Sequence, residues 1–148
     1  MNNISIVEFI KKSPKAELHL HIEGTLEPEQ MFLFAKRNNV QTPFKNINEA
    51  KEAYNFNNLE SFLKIYYEGA KVLLKENDFF ELTWAYALKC KEDNIIHTEI
   101  FFDPQTHTNR GISFDIIING IYKALKKAEK EFGLSFKIIM CFLRHLSE

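Results

Sequence analysis

Glu17-Leu18-His19-Leu20-His21 puts two imidazoles two positions apart, in a run that alternates polar and apolar residues from 15 to 22. Period-two alternation is a strand signal. On a regular strand, positions i and i+2 share a face and stand roughly 6–7 Å apart along the chain. Two imidazoles so placed can converge on one metal ion at nitrogen distances of about 2.0–2.1 Å. His19 and His21 are therefore candidate metal ligands. Taken singly, each reads as an ordinary surface histidine; as a pair near the end of a strand, followed by Glu23 and Gly24, they read as a metal site. The alternation aims Leu18, Leu20 and Ile22 one way and Glu17, His19 and His21 the other. Glu17 is expected to sit deeper on the histidine face in a buried hydrogen-bonding role. Glu23 is a candidate substrate contact, with a structural role as an equal alternative.

Several elements must position these groups. Residues 3–12 read as a short helix with Ile6, Phe9 and Ile10 on one face, broken at Ser13-Pro14. Pro28 suits the first turn of a helix that runs to about Arg37, and a short helix is expected near 47–54. Phe62, Ile65, Tyr66, Gly69, Val72 and Leu73 form one helical stripe; Phe79, Leu82, Tyr86 and either Cys90 or Lys89 form another. Residues 95–102 are β-branched and aromatic and read as a second strand, ended by Asp103-Pro104. Ser113 is placed to cap a long amphipathic helix, with Gly133 at its other end. Residues 135–143 read as a third strand, apolar almost throughout, which predicts burial on both faces.

Long helical crossovers between strands imply parallel pairing and an α/β fold. Three parallel strands are few for a covered sheet, and a helix normally follows such a strand. The expected architecture is the front part of a larger fold, with residues 1–148 as one incomplete domain. Each strand's C-terminal end carries a polar cluster: His19, His21 and Glu23; then Asp103, Gln105 and His107; then Arg144, His145 and Glu148. In parallel α/β folds active sites lie at that end of the sheet. Asp103, Gln105 and His107 are candidate contacts to metal ligands or substrate, with turn roles an equal alternative. His97, in mid-strand, reads as a packed histidine.

Composition narrows the function. Lys plus Arg is 19 and Asp plus Glu is 20, so no basic excess marks a nucleic-acid binder. The longest apolar run, residues 138–143, is far short of the ~20 residues needed to span a bilayer. Two cysteines outside any CxxC pair exclude a disulfide framework and fit a reducing, cytoplasmic setting. Cys90 and Cys141 read as small core residues, and the lysines of 123–130 as a solvated helix face. There is no GxGxxG, P-loop or GxSxG, nor the HxE with PCxxC of the nucleic-acid-editing deaminases.

Residues 14–26, PKAELHLHIEGTL, closely resemble the opening signature of the adenosine/adenine deaminase family of metal-dependent amidohydrolases. Residues 99–108, EIFFDPQTHT, followed by Gly111, look like its adenine deaminase branch, and residues 141–147, CFLRHLS, are a third similarity. The resemblance implies the N-terminal portion, about three strands plus helices, of a TIM-type (β/α)8 barrel. It implies zinc as cofactor, with His19 and His21 as two of its ligands. It further implies hydrolytic deamination of a small-molecule purine at C6, adenine to hypoxanthine. The family's other zinc ligands, its catalytic Glu, a further His and a substrate-binding Asp come from later strands, so residues 1–148 alone are expected to be inactive. In adenosine enzymes the position of Glu23 holds an Asp that contacts the ribose; Glu is compatible with a base lacking the sugar. The alternatives are an adenosine deaminase or other amidohydrolase fragment, and a non-catalytic remnant or partner chain.

Overall fold

The alternation read from residues 15–22 produces a bulged strand rather than a regular one. The computed structural model describes residues 5–144. In chain order its elements are α1 (Ile6–Lys12), β1 (Lys15–His21), a single 3-10 turn (Ile22–Thr25), α2 (Pro28–Asn38), α3 (Ile47–Ala53), α4 (Leu59–Ala70), α5 (Glu76–Glu92), β2 (Ile95–Phe102), α6 (Pro104–Thr108), α7 (Phe114–Phe132) and β3 (Ser135–Met140). The three strands form one parallel sheet in the order β1-β2-β3. Sequential parallel neighbours joined by helices are how a (β/α)8 barrel begins.

Most element ends follow from local chemistry. Asn46, Asn58 and Ser113 cap α3, α4 and α7 by accepting backbone N–H groups. Asn39 and Gly133 end α2 and α7 in the left-handed region, at φ 53° and 75°. Asp78, fully buried, accepts the N–H groups of Leu74 and Lys75 at 2.9 Å each and also holds Asn38 and Arg37. That one carboxylate ties the end of α2 to the start of α5.

The core lies between the sheet and the paired helices α5 and α7. Phe79, Leu82, Ile117, Ile121, Leu125, Ile100 and Phe102 are each at most 1% exposed. Each such side chain contributes roughly 1.5–3 kcal/mol by leaving water. Gly120 permits the close approach of α7 to α5: a Cβ built there would lie 2.5 Å from the carbonyl oxygen of Glu76 and 2.6 Å from Cβ of Phe79.

Two expectations are corrected. The pairing Glu17 to Thr98 is followed by Leu20 to Ile100, so β1 advances three residues while β2 advances two. The extra residue is a β-bulge, and a one-residue slip reverses the faces on its two sides. Glu17 therefore points to the helix layer, where the Tyr86 hydroxyl donates to its Oε2 at 2.7 Å. It keeps the hydrogen-bonding role but leaves the histidine face. Leu18 does not join Leu20 against the helices and is 57% exposed. The third strand ends at Met140, not 143, and no residue of it is fully buried. It forms one edge of the sheet: Phe136 and Ile138 pack toward the core and α7, while Ser135, Lys137 and Met140 are exposed. The apolar face of α1 is likewise exposed.

Candidate metal and substrate site

His19, within the bulge, and His21, just after it, stand on one face of β1, the face away from α5 and α7. Their ring centres are 5.8 Å apart and tilted by 35°. Phe101, paired with His21 in the sheet register, packs against both rings, at 4.5 Å from His19 and 5.4 Å from His21. Its ring limits how either imidazole can turn. Two imidazoles that share an ion at about 2.0–2.1 Å each place their ring centres about 3 Å from it. The observed separation suits such sharing, and the His21 side chain keeps 37% of its surface open. The donor set thus fits a borderline cation such as zinc.

A buried polar network lies beside the pair. Glu23 is 2% exposed, and both its oxygens are engaged by protein groups. Oε1 accepts the backbone N–H of Asp103 at 2.9 Å and lies 3.1 Å from Nε2 of His107. Arg110 donates to Nδ1 of His107 at 2.8 Å. Arginine can only donate, so Nδ1 accepts and the proton sits on Nε2, directed at Glu23. The Tyr66 hydroxyl contacts both carboxylates, Asp103 Oδ2 at 2.6 Å and Glu23 Oε2 at 3.2 Å. Burial, then the charge of Glu23, pushes the Tyr66 phenol far above its usual range, so it stays a protonated donor. Arg110 also donates to the carbonyls of Ala70, Lys71 and Leu73, which anchors the network to the end of α4.

Asp103 reaches from this network to the histidine pair. Its Oδ2 is 3.4 Å from Nδ1 of His21. Cys141 completes a corner in which one ligand atom each of His21, Asp103 and Cys141 lie within 4.8 Å of one another. Burial, then Asp103, raises the Cys141 thiol to about 11. Cys141 is half-buried at this corner rather than in the core, because β3 ends at Met140, one residue before it.

Next to that corner opens a cavity of about 410 Å³. Phe62, Leu63, Tyr66, Tyr67 and Leu143 form its apolar and aromatic wall. His21 and Asp103 supply its polar edge. Phe62 and Tyr66 belong to the helical stripe read from the sequence and Leu63 and Tyr67 do not; an apolar stripe does not say which part of it meets a void.

The remaining candidates have structural tasks. Gln105 Oε1 accepts the N–H of Leu143 at 2.6 Å and holds the chain leaving β3. His97 contacts Ser135 Oγ at 2.7 Å, at the far end of the sheet. Arg144 is exposed, and His145 and Glu148 lie outside the described residues. Cys90 is fully buried.

The adenosine deaminase family model matches residues 14–148. The chain belongs to the adenosine deaminase family. It is 64% identical over 144 residues to an adenine deaminase of Wolinella succinogenes, covering 97% of this chain and 44% of that one. An adenine deaminase of Zymomonas mobilis is 57% identical over 148 residues, covering 100% of this chain and 43% of the relative. The crystal structure of an adenine deaminase from Arthrobacter aurescens superposes with a TM-score of 0.87 at 46% identity, over 90% of this chain and 41% of that one. An amidohydrolase structure with bound Zn, from Burkhoderia ambifaria, shares the fold at 20% identity with a TM-score of 0.76, over 93% of this chain and 38% of that one. The chain thus spans less than half the length of these relatives, and its three strands match the N-terminal part of their barrel.

Proposed function

We propose that this chain forms the metal-binding and base-binding part of a zinc-dependent adenine deaminase, which exchanges the C6 amino group of adenine for oxygen from water and releases ammonia. The observation that carries the reading is the pair His19 and His21 on one face, steadied by Phe101, at the rim of an aromatic cavity. Zinc is the proposed metal: neutral imidazoles suit it, and when bound it supplies the Lewis acidity that activates water near neutral pH. The aromatic wall of α4 stacks on a flat base and excludes water from it. Glu23 serves the substrate by fixing Asp103 and Tyr66 at the cavity edge.

The relatives named adenine deaminase support adenine over other purines. By resemblance the remaining ligands and the catalytic acid come from later strands, so residues 1–148 alone are proposed not to turn over purines. A cytoplasmic setting suits the two free thiols. No helix among the described residues is long and apolar enough to cross a membrane.

The test is ammonia release from adenine and from adenosine, in a polypeptide of the relatives' length that carries this segment and in residues 1–148 alone. The reading expects turnover of adenine by the longer chain only, abolished by His19→Ala. Activity that survives His19→Ala, or a longer chain silent on adenine with zinc supplied, contradicts it.

A further inference from the structure

Asp103 carries a role that the metal pair leaves unassigned. Its carboxylate is 4% exposed, lines the aromatic cavity and is under-supplied with donors. Oδ2 accepts the Tyr66 hydroxyl, and Oδ1 has no hydrogen-bond partner. A carboxylate has about four acceptor positions, and leaving them unfilled in a buried place is costly. Among the residues lining the cavity Asp103 is the one carboxylate, because Glu23 stands behind it with both oxygens engaged.

The base itself offers the missing donor. A free purine has one N–H on its five-membered ring. A nucleoside has none, because the sugar replaces that hydrogen at N9. Where the ring nitrogens have only lone pairs, a carboxylate facing them repels. We propose that Asp103 accepts the ring N–H of a free purine base and thereby selects base over nucleoside. The proposal rests on the purine-deaminase reading and adds the group that sets its substrate class. Sites built to pair with a substrate N–H discriminate strongly against analogues lacking it, because their own polar groups are then left unpaired.

The test titrates purine and 9-methylpurine, which lacks any ring N–H, into the wild-type, metal-loaded protein of family length and into its Asp103→Asn variant. The wild type is expected to prefer purine by roughly 10- to 100-fold, the range of a hydrogen bond to a charged group. In Asp103→Asn that preference is expected to shrink to within about threefold. A merely structural role, for instance steadying His21, would weaken both ligands alike and leave the ratio unchanged; that result overturns the proposal. A wild type that binds neither ligand overturns the function reading and this inference together. Should the variant fail to fold, the structure of the wild type with purine decides: a ring N–H nitrogen at hydrogen-bond distance from an Asp103 oxygen supports the proposal, and an Asp103 carboxylate with no such contact refutes it.

Discussion

The Tyr86 hydroxyl on α5 donates to Glu17 of β1 at 2.7 Å while lying 2.5 Å from the Thr98 hydroxyl of β2. One phenol thus ties the bulged half of β1 to its neighbour strand from the helix side. Burial pushes that phenol well above its ordinary pKa, so it remains a donor across the whole neutral range. Tyr86→Phe removes the donor and leaves Glu17 and Thr98 facing an apolar edge. The expected loss is about 1–3 kcal/mol of unfolding free energy, read from urea midpoints at unchanged slope. An unaltered midpoint would show that the bulge stands without the tie.

Gly120→Ala should destabilise the packing of α7 on α5. Helix propensity alone favours alanine by about 1 kcal/mol. Against that, the new methyl meets the Glu76 backbone carbonyl at 2.5 Å, and backbone cannot turn aside as a flexible side chain does. Overpacking of this kind costs about 1–3 kcal/mol. Thermal melting of the variant should therefore come earlier than that of the wild type; a later melt would mean the two helices separate freely.

Glu23→Ala tests the buried network. Removal of the carboxylate strands the Asp103 N–H and Nε2–H of His107, while the Tyr66 hydroxyl keeps its bond to Asp103. Stability should fall by at least about 2 kcal/mol in chemical denaturation. A loss confined to ligand affinity, with no change in unfolding, would instead make Glu23 a direct substrate contact.

Alkaline pH should weaken the fold. Burial holds the Cys90 thiol at about 11, against 9.0 for an ordinary thiol. Below pH 9 both folded and unfolded chains keep the proton, and the contribution is fully present. Between about 9 and 11 the unfolded chain releases it while the folded chain retains it, so stability falls as pH rises. The contribution is up to about 3 kcal/mol for a two-unit difference. Cys90→Ala should flatten part of that fall in urea titrations at successive pH values; an identical slope would contradict the assignment.

Features set by neighbouring residues were legible in the chain. The second strand appears at residues 95–102 as read, because its β-branched run ends in Asp103-Pro104. Ser113 and Gly133 bound α7 as expected, since a cap is a local hydrogen bond and a left-handed turn a local conformation. The pairing of His19 with His21 on one face also holds, with the two rings 5.8 Å apart although His19 lies within the bulge. Features that depend on distant partners were hidden. The bulge turns Glu17 away from the histidines only because β2 sets the register. The bond from Asp103 N–H to Glu23 spans 80 residues, and neither residue announces the other. The five residues of α6 are too few to show a helical period. The expected burial of β3 failed because an apolar run states what a strand can bury, not what covers it.

Zinc uptake tests the central claim most directly. Calorimetric titration of wild-type chain, His19→Ala and His21→Ala, with folding checked by circular dichroism, should give one zinc-dependent transition in the wild type. Loss of a mere outer partner weakens metal sites by about 10–100-fold, so loss of either imidazole should weaken this one at least as much. Folded wild-type chain that takes up no zinc, or zinc binding indifferent to both substitutions, would contradict the account.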